Sequence, residues 1–202
     1  MTSPGTAADL EPEGDLDDLA FDSVDLAGLT AAGARIMDCT FTGCDLDGLD
    51  VDGARLVDCT FTGVRAGTWR APGTSWQDVT IGDSRIGALV ATASRWTRGH
   101  VHGGKVDYLD LRGATIDRLR LEGVTIGDLD LAQARVRHLE VVDCDVRRVD
   151  LNGAQLASAD LRGARWRAVD GVAGLAGATV SPAQVLELAP LLAAHLGLLV
   201  DP

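Results

Sequence analysis

VDYLDLRGATIDRLRLEGVTIGDLDL, residues 106–131, decides the fold. An apolar residue returns at every fifth position: Val106, Leu111, Ile116, Leu121, Ile126 and Leu131. Two residues ahead of a centre sits a second small or aliphatic side chain, as at Leu109, Ala114, Val124 and Leu129. A helix repeats every 3.6 residues and a strand every 2, so neither keeps a five-residue recurrence on one face. A chain that turns a corner every five residues does, with both columns looking inward.

Outward from this stretch, the step of five runs from Leu16 to Trp166 through 31 apolar centres without insertion or deletion. A fixed period of this kind outranks local propensity. The four cysteines, Cys39, Cys44, Cys59 and Cys144, all fall on the companion column, where a small hydrophobe fits. They are expected as buried thiols in a reducing compartment. Many pentads close with Gly, the residue that turns a corner without a Cβ penalty.

VDLAG (24–28), CDLDG (44–48), LDLRG (109–113), VDLNG (149–153) and ADLRG (159–163) resemble the A(D/N)LXX pattern of the pentapeptide-repeat proteins. The resemblance spans about Gly14 to Ala168. It implies an all-β solenoid, a right-handed quadrilateral β-helix with four pentads per coil, in which residues twenty apart stack. Seven to eight coils at about 4.8 Å each give a rod of roughly 35 Å. On one face bulky companions go with small centres (Trp69 with Ala71, Leu89 with Ala91); on another, Trp76 and Trp96 go with Thr74 and Ser94. Such compensation is expected where two columns share one close-packed interior. The expected organisation is a disordered acidic tail (1–13), a β-helix (14–178) and a C-terminal helical cap and dimerisation element (179–202). Arg65–Trp76, RAGTWRAPGTSW, is expected to bulge or kink.

Ser181-Pro182-Ala183-Gln184 carries a capping box that starts a helix. Val185, Leu188, Leu191, Leu192 and Leu196 give it an apolar face, expected to close the end of the rod; the resemblance implies that it also pairs two copies. Pro190 is expected to kink or split the helix. Gly197 is expected to cap it, ahead of a terminal strand at Leu198–Val200.

The chain has 202 residues and a formal charge of -12, with eight acids and no base in residues 1–30. That balance speaks against direct nucleic-acid binding, which needs Lys and Arg to displace counterions. The longest apolar run, Leu188–Val200, is broken by Pro190 and His195 and falls short of a membrane span. The start lacks the basic and apolar regions of a signal peptide, so a cytoplasmic protein is expected. A filled solenoid offers no concave site, so no catalysis and no cofactor are expected. His100 and His102 point outward on either side of Val101, without a third metal ligand.

What remains is charge on a rod. Asp50, Asp110, Asp130, Asp150 and Asp170 share one outward column and are read as a partner-binding acidic stripe; Asp18, Asp38, Asp58 and Asp78 form a second. Arg35, Arg55, Arg95 and Arg135 share another column, and Arg147, Arg148, Arg162, Arg165 and Arg167 cluster near the C-terminal end. The resemblance implies a DNA-mimicking partner of DNA gyrase, inhibiting the enzyme or protecting it from gyrase-targeting antibiotics. The other reading is a protein-interaction scaffold with no topoisomerase link.

Overall fold

The computed structural model describes residues 3–199. The chain winds about nine times around one apolar axis and ends in a single helix. Three parallel sheets form the walls. A ten-stranded sheet runs from Ser3–Pro4 to Ala178–Thr179, an eight-stranded sheet from Asp15–Asp17 to Gln155–Leu156, and a six-stranded sheet from Arg65–Arg70 to Ala164–Asp170. Residues twenty apart pair throughout the body, as in Ile81 with Val101, Trp76 with Trp96 and Leu109 with Leu129. All centres but half-buried Trp166, and most of their companions, are buried in one continuous core, including all four cysteines as free thiols. Burial pushes the Cys59 thiol up to about 12, far from the reactive range.

Both ends carry more than the repeat indicates. Residues 3–13 are not a disordered tail. Ser3–Pro4 pairs with Leu19–Ala20, Leu10 enters the core, and Gly5 lies so close to the Phe21 ring that a Cβ there would sit 2.6 Å from it. Thr6 and Asp9 tie the intervening turn, with the Thr6 N–H and hydroxyl donating to the Asp9 carboxylate at 2.7 and 2.8 Å. Met1 and Thr2, part of the same expected tail, lie outside the described residues. At the other end a 3-10 turn, Val172–Leu175, leads into Ala178–Thr179, which pairs with Ala159–Asp160 at a spacing shortened to nineteen. These additions raise the expected seven or eight coils to about nine, roughly 43 Å of ladder at 4.8 Å per step.

One corner changes type along the rod. At Gly28 and Gly48 the backbone is left-handed (φ 69° and 71°), and neighbouring coils meet only through isolated bridges such as Asp25 with Asp45. One coil further on the equivalent residue is Thr68, a β-branched residue unsuited to that conformation. Arg65–Arg70 therefore passes the corner as an unbroken strand, and every later coil copies it. The expected bulge at Arg65–Trp76 is absent, because aromatic volume fills the interior there. Phe21, Phe41 and Phe61 stack at 4.6 and 4.5 Å, Phe61 meets Trp69 at 4.8 Å, Trp69 meets Trp76 edge-on at 5.5 Å, and Trp76 stacks on Trp96 at 4.6 Å. The aromatic chain thus crosses the core from one wall to the opposite side. Small neighbours make room for it: Ser94 accepts the Trp96 indole N–H at 2.9 Å, and a Cβ at Gly99 would lie 2.6 Å from the Trp96 ring.

The helix, α1 (Pro182–His195), is continuous despite Pro190. Proline removes one i to i−4 bond, here to the Leu186 carbonyl, and both Leu186 and Pro190 lie on the exposed side of the helix, where the loss costs least. The capping box forms as expected, with Ser181 Oγ accepting from the Gln184 N–H at 3.2 Å and Gln184 Oε1 accepting from the Ser181 N–H at 2.7 Å. Gly197 (φ 71°) closes the helix with two bonds of a Schellman motif, Gly197 N–H to Ala194 at 3.1 Å and Leu198 N–H to Ala193 at 2.9 Å. Leu198 and Leu199 form no strand, and Val200 lies outside the described residues.

Candidate interaction surfaces

The interior of the rod is filled, so the outward columns, and the shallow groove beside one of them, are the candidate site. The column read as an acidic stripe is present in register, running Asp50, Arg70, Val90, Asp110, Asp130, Asp150, Asp170. Two non-acidic residues interrupt it, and its carboxylates are engaged. Asp50, Asp110, Asp130 and Asp150 each accept the backbone N–H two residues on, the Asx turn that fixes the corner. Asp110 is only 1% exposed and is gripped bidentately by Arg112 at 2.9 and 2.7 Å. Asp130 takes the Tyr108 hydroxyl at 3.0 Å, and burial, with this bond second, pushes the Tyr108 phenol up to about 12. Asp170 is bonded by Arg148 at 2.5 Å and Asp50 lies 3.6 Å from Arg70. A column that locks corners presents little free negative charge.

The second acidic column differs. Asp18, Asp38, Asp58 and Asp78 stand at the corner between the eight- and ten-stranded sheets, each in the left-handed region (φ 53°, 50°, 52° and 53°). Asp tolerates that conformation better than most side chains. Only Asp78 has an ion pair among the described residues: Arg98 holds it bidentately at 2.5 Å and keeps its carboxyl below the usual range. Asp18, Asp38 and Asp58 stand exposed.

Charge is segregated along the axis. Residues 1–64 hold fourteen acids and two arginines, whereas residues 65–202 hold sixteen acids and sixteen bases. The entire net charge of -12 therefore belongs to the first 64 residues. In the later coils the basic side chains reach across to a neighbouring coil: Arg120 forward to Glu140 at 2.5 Å, and Arg137 back to Asp117 at 3.3 Å and Arg147 back to Asp128 at 2.5 Å. Of the C-terminal arginine cluster, Arg147, Arg148 and Arg162 are paired this way or locally, which blunts the expected positive patch. His100 and His102 sit with ring centroids 4.9 Å apart, and His100 Nε2 lies 3.2 Å from Glu122. No group of three or more potential metal ligands occurs among the described residues.

α1 divides the expected cap residues. Leu188 is buried and Leu192 partly so, while Val185, Leu191 and Leu196 face outward. Leu186, 76% exposed, joins them. Gln184, which the sequence marks only as part of the capping box, also seals the end: it is buried, and its Nε2 donates to the carbonyls of Leu161 and Ala164 at 2.8 Å each. An apolar period draws attention to leucines, not to the amide that satisfies an edge.

These coils define a parallel β-solenoid whose unit is five residues and whose step is twenty. The pentapeptide-repeat family model matches it in eight copies over residues 20–63 and 130–165, and the chain is a pentapeptide-repeat protein. A trypsin-treated variant of QnrB1, a plasmid-mediated fluoroquinolone resistance protein, superposes with a TM-score of 0.57 at 18% identity, covering 92% of this chain and 99% of that one. Full-length QnrB1 gives 0.37 at 15% identity, covering 88% and 96%. HetL, involved in heterocyst differentiation regulation in Nostoc sp. strain PCC 7120, gives 0.31 at 16%, covering 79% and 84%. No curated protein matches. Among the described residues no helix is long and apolar enough to cross a membrane.

Proposed function

We infer that this chain is a non-catalytic, protein-binding rod whose acidic N-terminal third occupies a basic surface built for duplex DNA, with DNA gyrase as the specific partner. One observation carries the reading: all the net charge lies on the first 64 residues. Those residues span between three and four coil steps, so twelve charges fall at roughly one per 1.5 Å, close to the one per about 1.7 Å of duplex DNA. A stiff body of that charge density is steered into a basic saddle over a long range. The likeness to QnrB1 in fold supports an effect on fluoroquinolone tolerance. Gyrase places the protein in the cytoplasm, where four unpaired thiols are at home.

The contact is assigned to Asp18, Asp38 and Asp58, at the corner between the eight- and ten-stranded sheets, rather than to Asp110, Asp130, Asp150 and Asp170. In a supercoiling assay the purified protein is expected to inhibit gyrase or protect it from a fluoroquinolone at low micromolar concentration. Replacing Asp18, Asp38 and Asp58 with Asn, which keeps the left-handed corner, is expected to weaken that effect about 10-fold. A wild-type protein without effect on gyrase leaves the scaffold reading, with a different basic protein as partner.

A second reading concerns α1. Val185, Leu186, Leu191 and Leu196 leave an apolar face uncovered, which suits end-to-end pairing of two copies. Light scattering on the full chain and on a form ending at Ala178 separates a dimerisation element from a lid.

A further inference from the structure

The corner between the eight- and ten-stranded sheets contributes one residue per coil: Asp18, Asp38, Asp58, Asp78, Arg98, Arg118, His138 and Ser158. This ladder reverses sign at its midpoint. The reversal is bridged inside the chain by Asp78 and Arg98, leaving Asp18, Asp38, Asp58 and Arg118 without an ion pair among the described residues. On this half the corner opens into a groove of about 520 Å³, where Arg98, Arg118 and His138 line one side and Arg120, paired with Glu140, and Asp160 line the other.

We propose that this corner is an antiparallel self-association surface, on which a second copy of the chain lies side by side with the first about a twofold axis between the levels of Asp78 and Arg98. Asp58 then faces the partner's Arg118, and Asp38 faces the partner's His138. Because both halves belong to one ladder their pitch is identical, about 4.8 Å per step, so the match holds over the whole contact. The contact is isologous, each charged pair occurring twice. Like charges stacked one coil apart repel within an isolated chain, and interleaving the opposite sign relieves them.

The flanking columns obey the same symmetry. Thr60 meets the partner's Arg120, Thr40 the partner's Glu140, and Asp22 the partner's Arg162, so no like pair forms on the ten-stranded side. On the other side Arg35 meets the partner's Arg135, but three residues back from the corner. The antiparallel arrangement also sends the two acidic ends to opposite ends of the pair, where a parallel one would superimpose them. Net repulsion between two chains of charge -12 opposes encounter, so the attraction is short-ranged, weak and sensitive to salt.

This inference does not depend on gyrase, and its test contains none. Sedimentation of the full chain is followed between about 20 mM and about 500 mM salt, where screening lengths differ several-fold. Low salt is expected to double the weight-average mass relative to high salt. Arg118→Glu and Asp58→Arg, each alone, are expected to weaken association about 10-fold or more, and the two together in one chain to restore it. Both positions are exposed, and Arg98 already occupies the backbone conformation of Asp58 (φ 55° against 52°), so circular dichroism is expected to be unchanged. A mass independent of salt overturns the proposal, as does a single reversal without effect or a double variant that stays dissociated. Pairing through α1 is apolar and is left intact by all three variants, which separates the two contacts.

Discussion

Residues 15–64 and residues 98–170 follow one five-residue period and yet hold their coils together by different means. In the first region Phe21, Phe41 and Phe61 form a stacked file, glycine turns replace strand at one corner, and two arginines answer a surplus of carboxylates. In the second the core is aliphatic, all corners of the six-stranded sheet are bridged by strand, and arginines reach from coil to coil. The period dictates what points inward because the interior has to be filled. It leaves the outward positions free, and there this chain has concentrated charge at one end and cancelled it at the other.

Four changes break or sharpen that contrast, from the largest effect to the smallest. Phe41→Ala removes the middle of the stacked file, and a loss of about 3 to 5 kcal/mol is expected by denaturant unfolding, toward the upper end of what Leu131→Ala costs in the aliphatic half. Asp110→Ala removes the acceptor of the Arg112 backbone N–H at a part-buried corner, while the half-exposed Arg112 guanidinium keeps Asp130 nearby; a loss of about 1 kcal/mol is expected, with no counterpart at exposed Asp58. Gly48→Ala forces a Cβ into the left-handed region at φ 71°, although space is available, and about 1 kcal/mol is expected, measured by thermal melting. The same substitution of Thr68 has no such cost.

The smallest effect is acid sensitivity. Hydrogen bonds from Arg98 and Arg162 hold Asp78 and Asp160 below the ordinary carboxylate value of 3.8. A carboxyl depressed on folding lends stability that is complete above its unfolded value and disappears as pH falls through the lower folded one. Amide exchange below about pH 4 is therefore expected to rise first in the later, ion-paired coils, modestly, since these pairs are mostly in water.

Much of this was legible because the repeat speaks about packing. Leu16 to Trp166 lie where the step of five puts them, and the Ser181–Gln184 box and Gly197 bound α1 by local chemistry alone. What the sequence did not convey is set by neighbours twenty residues away. Asp110 and Asp58 look alike in a column of acids, and only Arg112, folded back on the first, distinguishes them. Leu10 has no periodic companion, so nothing announces that residues 3–13 close the first coil. Pro190 stays within one helix because its lost bond lies on the exposed side. The family model passes over residues 64–129, where Thr68, Ala88 and Tyr108 replace the corner glycine, although the register continues unchanged.

The pairing of residue n with n+20, kept from Asp15 to Asp170, has a consequence for how such molecules change over generations. A coil touches only the coils on either side, so twenty codons gained or lost between, say, Ser84 and Lys105 would leave every other ladder matched. Length behaves as a ruler that can be recut one notch at a time, while the sign written on each notch is inherited separately.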